Sequence, residues 1–167
     1  MRLKIETGND NPILRAVSPE IRPDEFRKYA PLAQDMVKYV KDPKNRCVGV
    51  AAPQVGHNVR LVAVSLLNSY EDETYRTVAM FNPVVLEKSD VLESDGEGCL
   101  SVPGMRGDVL RPKRIRLKYS DEKGNVFIRE MNGLMARIVQ HEIDHLDGVL
   151  FTDKTVGEAV LETEEAL

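Results

Sequence analysis

The sequence predicts an α+β fold, with mostly antiparallel strands around one central helix that carries metal ligands. Three observations lead there. Between Asn132 and Gly148 lies an apolar stretch, Leu134 to Val139, followed by His141 and His145 at four-residue spacing. Arg114 to Tyr119 alternates charged and apolar residues, and Val126 to Met131 returns after a turn at Asp121 to Asn125, which is a hairpin pattern. Arg60 to Leu67 is largely apolar over a strand's length, as expected of a buried strand.

Taken in order, residues 1–22 read as an extended arm, because Pro12 and Pro19 oppose helix. Pro31 to Val40 reads as a helix. Pro31 suits a first turn, Leu32, Met36, Val37 and Val40 share a face, and Pro43 stops it. Cys47 to Gly56 is dominated by small residues, which let the backbone approach a neighbour closely. Taken alone it is a tight loop before a strand. Thr77 to Phe81 is a further strand, and Val84 to Leu92 is one or two more, interrupted at Lys88-Ser89-Asp90. Ser94 to Gly104 reads as a polar, glycine-rich loop around Cys99. The basic cluster from Arg111 to Lys118 reads as the solvated face of a strand rather than a nucleic-acid patch, because of its alternation. The helix after the hairpin has Asn132 as N-cap and Gly148 as C′ residue. Beyond Phe151, Thr155 and Glu158 suit the capping box of a last short helix ending at Leu167.

The chain of 167 residues is read as one domain, 1–167, long enough for a real core. With 42% apolar and 30% charged residues, its composition disfavours disorder and fibres alike. A net charge of −4 implies no broad nucleic-acid or anionic-membrane surface. Two cysteines make no disulfide framework, so a reducing compartment is the default. No apolar run approaches the roughly 20 residues of a membrane span. The opening Met1 to Glu6 turns polar too quickly for a signal peptide and is not the Arg- and Ser-rich start of a transit peptide. A cytoplasmic location is therefore expected.

Chemistry concentrates in Gln140 to Gly148. Leu134, Ile138, His141 and His145 fall on one helical stripe, so both imidazoles continue an apolar face. Four residues amount to roughly 6 Å of rise, so both can meet one metal ion. Glu142 leans over the edge of that face, where a carboxylate can take a proton from metal-activated water. This is the H-E-x-x-H logic of hydrolytic metal sites. The competing reading is two core histidines satisfied by hydrogen bonds. Hydrolytic centres use three protein ligands, and here the third is open. Phe151 stands where one metalloprotease pattern has its last histidine. The tail offers Glu158, Glu162, Glu164 and Glu165, and the soft donors are Cys47 and Cys99. Cys99 lies among glycines and polar residues, an environment that favours a ligand over a structural cysteine. A Cys/His₂ set suits tetrahedral Zn²⁺.

Three pieces recur together in order: Cys47-Val-Gly-Val-Ala-Ala-Pro-Gln54, Glu97-Gly-Cys-Leu-Ser101 and Gln140-His-Glu-Ile-Asp-His145. They resemble the G-x-G-L-A-A-x-Q, E-G-C-L-S and Q-H-E-x-D-H motifs of peptide deformylases, and the resemblance extends over nearly the whole chain. It implies a peptide-deformylase-like fold and metal-dependent removal of the formyl group from formyl-methionine at the start of nascent polypeptides, with release of formate. It implies that Cys99 joins His141 and His145 on one divalent ion, Fe²⁺ in the cell, with Zn²⁺, Ni²⁺ or Co²⁺ able to substitute. Glu142 would accept a proton from water and deliver it to the departing amine. The Gln54 side-chain amide and the Leu100 backbone N–H would face the oxyanion. Gly49 would offer backbone hydrogen bonds to the peptide. Val50, Leu134 and Ile138, with the ligand histidines, would line a pocket for the methionine side chain, and Arg106 would lie near the substrate's downstream end. Glu97 and Asp144 read as supporting residues. The implied partners are nascent formyl-methionyl peptides and, in passing, the ribosome, with no direct nucleic-acid or membrane binding.

The chain departs from the motifs at Cys47, where the family has glycine, and at Val50, where it has leucine. Cys47 is expected to be neither ligand nor nucleophile, only a small residue at a close-packed turn. The stretch beyond Phe151 is short, so the long C-terminal helix of some relatives is not expected here. Two other readings stand beside this one: an H-E-x-x-H metalloprotease of another class with a tail glutamate as third ligand, and an inactive relative that binds formylated peptides. Intact Gln54, Cys99 and Glu142 speak against the inactive relative.

Overall fold

The computed structural model describes residues 2–161. Its order of elements is α1 (Pro12–Arg15), α2 (Phe26–Lys41), β1 (Gly49–Ala51), β2 (Leu61–Ser65), β3 (Thr77–Lys88), β4 (Leu92–Cys99), β5 (Val102–Pro112), β6 (Arg114–Ser120), β7 (Val126–Asn132), α3 (Gly133–Leu146) and β8 (Val160–Leu161). The strands form two antiparallel sheets, of order β1-β2-β3-β6-β7 and β4-β5-β8. The predicted α+β class is the observed one, with α3 between the sheets as the central helix.

Strand alternation decides what each face of the larger sheet meets. Val62 and Val64 of β2 join the core beneath α3, while Leu61 and Ala63 join a second core beneath α2. Covered on both faces, β2 is buried at all five positions, as its unbroken apolar run predicts. The same alternation acts on β1. Ala51 faces the α3 side and Val50 faces the α2 side. Beyond the hairpin of β6 and β7, a third small core of Val102, Val109, Leu150 and Phe151 lies under the smaller sheet.

Several boundaries differ from those predicted. The arm is not wholly extended. Pro12 starts the one-turn helix α1, capped by the Asn11 side chain, which accepts from the Ile13 N–H at 3.0 Å. Pro at the first helical position loses only an N–H that had no partner there. Helix α2 starts five residues before Pro31, which lies inside it. Phe26 recruits the extra turn, because its ring packs on Phe81 with centroids 4.9 Å apart, and one missing backbone bond at Pro31 is tolerated. Thr77–Lys88 is a single strand through Pro83, with a bulge where Asn82 takes φ 51°. The polar stretch from Ser94 to Gly104 is not a loop. It is the end of β4 and the start of β5, joined by the two residues Leu100 and Ser101. No helix begins at Thr155. Instead Val160 and Leu161 pair with Arg106 and Met105 of β5. The rest of that expected helix lies outside the described residues. No helix among them is long and apolar enough to cross a membrane.

Candidate metal centre and substrate cleft

Helix α3 runs from Gly133, after the N-cap Asn132, to Leu146. Gly148 closes it with φ 73° and an N–H to the His145 carbonyl, as a C′ glycine should. The Asn132 side chain makes no capping bond. His141 and His145 project side by side, with ring centroids 5.2 Å apart. The β4–β5 turn brings Cys99 onto them. One ligand atom from each of Cys99, His141 and His145 lies within 4.8 Å of the other two, and the Cys99 Sγ is 3.3 Å from His145 Nε2.

His141 is held from behind. The His141 Nδ1 meets Glu97 Oε1 at 2.7 Å, which leaves Nε2 to face the cleft. Glu97 is itself clamped. Arg111 Nε donates to its Oε2 at 2.6 Å, Arg111 Nη2 to its Oε1 at 2.9 Å, and Arg137 Nη1 to its Oε2 at 2.6 Å. Arg111 also reaches Asp144 at 2.8 Å, and Lys154 meets the other Asp144 oxygen at 3.1 Å. Burial pushes the Glu97 carboxyl up, but Arg111 and His141 outweigh it and hold it well below the usual carboxylate range. Gln54 is fixed from both ends of its amide. Its Oε1 accepts from the Ala51 N–H at 2.9 Å, and its Nε2 donates to Ser101 Oγ at 3.0 Å and toward Cys99 Sγ at 3.4 Å. The N-terminal arm ties this corner down, with Glu6 N–H on the Gln54 carbonyl and Gly8 N–H on the Ser101 carbonyl.

Glu142 follows His141 on the helix and is 4% exposed, yet its Oε2 finds no hydrogen-bond partner among the described residues. Burial pushes its carboxyl up to about 7. Such a group holds or releases a proton near neutral pH, which is what a general acid–base residue needs. The donor set fits a divalent ion: a thiol sulfur and two imidazoles converge, with Glu142 beside them but not among them. His145 is buried, while Gln54, Cys99, His141 and Glu142 open into a cavity of about 630 Å³. Its walls include Gly49 of β1, Gly96 to Cys99 of β4, Leu134 and Ile138 of α3, and Arg106.

The family model for polypeptide deformylase matches residues 3–159. This chain belongs to the polypeptide deformylase family. A peptide deformylase of Prochlorococcus marinus (strain NATL2A) is 43% identical over 141 residues, 84% of this chain and 66% of that relative. The chain thus spans a little under two thirds of that relative's length. Among solved structures, the Met-Ala-Ser-bound class I type b peptide deformylase from Acinetobacter baumannii is 32% identical, with a TM-score of 0.83 over 92% of this chain and 98% of that one. A probable peptide deformylase from synechococcus phage S-SSM7 is 38% identical, with a TM-score of 0.80 over 92% and 99%. Deformylases are metal-dependent, and the Cys99, His141 and His145 group of this member can hold an ion.

The cleft of this family member gathers Gly49, Gln54, Cys99, Leu100, Arg106, Leu134, Ile138, His141 and Glu142, all singled out from the sequence. It does not gather Val50, which is fully buried in the α2-side core because it follows Gly49 on β1 and points the opposite way. Glu158, the one tail glutamate among the described residues, is exposed and outside the donor group, where Cys99 stands as the third member. Glu162, Glu164 and Glu165 lie outside the described residues. Cys47 lines the cleft as a half-buried thiol. Burial and the nearby Glu142 push it up to about 12, so it stays protonated. The strained φ of 48° falls on Arg46, not on Cys47.

Sequence reasoning missed Arg111 and Arg137. Arg111 is no solvated strand residue: it is 3% exposed, and the strand it sits on turns it toward Glu97. Arg137 carried a signal, since it interrupts the apolar run from Leu134 to Val139 one turn before His141. A charge on a buried helix face calls for a buried partner.

Proposed function

We propose that the protein hydrolyses the N-terminal formyl amide of formyl-methionyl peptides, releasing formate and a free amine. The observation that carries this reading is the buried carboxylate of Glu142, its Oε2 without a hydrogen-bond partner among the described residues, in a cleft lined by Cys99 and His141 of the Cys99, His141 and His145 donor group. Those three residues would hold one divalent ion, Fe²⁺ in the cell. When bound, such an ion supplies Lewis acidity, lowering the pKa of water and polarising a carbonyl oxygen.

The remaining work falls to side chains and backbone. Glu142 takes a proton from the attacking water and passes it to the departing amine nitrogen. Its elevated pKa keeps both transfers within reach near neutral pH. The Gln54 Nε2, whose second hydrogen points weakly toward Cys99, and the Leu100 N–H at the β4–β5 turn donate to the developing oxyanion. β1 and β4 are each an outer strand of their sheet, and both line the cleft. An extended peptide entering between them gains main-chain hydrogen bonds at Gly49 and along Gly96 to Gly98. Leu134 and Ile138 offer apolar contact to the methionine side chain, and Arg106 stands toward the downstream end. The Met-Ala-Ser bound to the Acinetobacter baumannii deformylase supports a peptide occupant of this kind. Nascent chains as substrate imply work in the cytoplasm beside the ribosome, with transient contact.

The test is formate release from formyl-Met-Ala by anaerobically purified protein, with metal analysis on the same sample. One ion per chain and steady turnover are expected. Bound peptide without formate, at full metal loading, would support the inactive relative instead.

A further inference from the structure

Gly49 lies on β1, in extended backbone that any residue can adopt, since its φ is not among the positive ones. Glycine is therefore not required there for its conformation. What requires it is space. A Cβ built on Gly49 would sit 2.9 Å from Glu142 Cγ, 3.1 Å from its Cδ and 3.3 Å from its Oε2. Side-chain carbons do not approach that closely, so one group must move. β1 is held by three register pairs with β2, and Gln54 bonds the Ala51 N–H behind it. Glu142 has no hydrogen bond to its Oε2 that would resist displacement.

We propose that Gly49 is a positioning residue for Glu142: its bare α-carbon forms the seat against which the carboxylate is aimed into the cleft. Peptide binding at the Gly49 backbone and proton transfer at Glu142 then share one contact, so an occupied β1 edge lies directly against the group that moves the proton. This inference rests on the deformylase reading above and adds to it a second role for Gly49 that its backbone hydrogen bonds do not require.

The consequence is a separation of binding from turnover. Gly49→Ala keeps the backbone N–H and C=O that a peptide would use, but displaces the carboxylate by about half an ångström. Misplacement on the order of 1 Å can cost about 10²-fold. We expect kcat on formyl-Met-Ala to fall about tenfold or more, with KM and the Kd for the peptide Met-Ala-Ser within threefold of wild type. Glu142→Ala removes all three atoms that the new methyl group would meet. In that background, Gly49→Ala should change the residual rate less than twofold. The same cycle is read by heat: Gly49→Ala should lower Tm, and the double variant should recover that loss relative to Glu142→Ala. The thermal reading holds even if Gly49→Ala is too unstable for kinetics. An unchanged kcat, an equal loss in Met-Ala-Ser affinity, or a Tm loss of the same size in both backgrounds would overturn the proposal. A wild type that releases no formate would remove the deformylase reading and this inference with it. An active wild type with an indifferent Gly49→Ala would remove this inference alone.

Discussion

His141 and His145 are one helical turn apart and turn toward the same thiol, yet the surroundings of their second ring nitrogens differ. The His141 Nδ1 is bound to Glu97, and through it to two buried arginines. The His145 Nδ1 has no partner among the described residues, and the ring, 1% exposed, is fixed by packing. Their protonation leans in opposite directions. Burial lowers His141, but the neighbouring Cys99 and Glu97 more than reverse that and carry it well above its ordinary pKa. Burial and the charge of His141 push His145 well below. One imidazole is thus aimed by a charge network and the other by shape. The network couples His141 to β4 and β5, the strands that also present Cys99, so two of the three donors share a single support.

Removing the thiol itself should have the largest effect. Cys99→Ala is expected to abolish metal binding, measured as metal per chain after anaerobic purification, while Glu158→Ala keeps full content. The reverse pattern would mean that the donor group has been misread.

The next test strikes the network alone. Glu97→Ala leaves Arg111 and Arg137 buried without their shared carboxylate, and removing one partner of a buried ion pair costs about 3–5 kcal/mol. It also frees His141, and loss of such a supporting hydrogen bond typically weakens metal affinity about 10–100-fold. Denaturant unfolding and competitive chelation check the two numbers. An affinity unchanged in a folded Glu97→Ala would show that shape alone aims both imidazoles.

A milder change touches the opposite wall. Cys47→Gly should keep its metal and stay within about tenfold of wild-type kcat/KM, a barrier change of about 1.4 kcal/mol. A protonated thiol contributes neither a ligand nor a nucleophile. A larger loss would give the α2-side wall a chemical part that the comparison of histidines leaves out.

The smallest effect lies away from the cleft, where the arm is tied to the exit of α3. Arg15 donates to Asp153 at 2.6 and 3.1 Å and also reaches the Gly148 carbonyl. The Arg15 bond holds Asp153 below its ordinary value of 3.8. A carboxyl depressed in the folded state adds stability above its unfolded pKa, and that stability fades as pH falls through the folded value. Both side chains are about a third exposed, so screening limits the contribution to about 1 kcal/mol or less. Asp153→Asn should lower Tm slightly at pH 7, and the gap to wild type should close below pH 3.8. A gap independent of pH would assign the effect to packing.

What could be read from the sequence follows the same physical division. α3 and the β6–β7 hairpin were legible because one-sided burial writes a period into the residues, and β2 because two-sided burial writes an unbroken apolar run. β6 shows it directly, with Ile115, Leu117 and Tyr119 buried between exposed neighbours. β4 and the start of β5 were not legible. The first half of β4 is exposed, so nothing in Glu93 to Gly96 alternates, and the strand exists through its partner. The donor group was legible because metal ligands need rare side chains at fixed spacing. Val50 was misjudged because a motif names a neighbourhood and not a face, and one residue along a strand reverses the direction. Arg111 was misjudged because a charged residue beside a solvated strand face looks solvated until its partner, 14 residues earlier, is folded against it.

The role of Glu142 is the claim on which the rest depends, and one comparison tests it most directly. Glu142→Ala is purified anaerobically beside wild type, and both are assayed for metal per chain and for formate release from formyl-Met-Ala. The variant is expected to keep one ion per chain and lose about 10²–10⁴-fold in kcat, the usual contribution of a general acid–base group. Full metal with a rate near wild type would contradict a proton-transfer role for Glu142, and loss of the ion would make it a ligand.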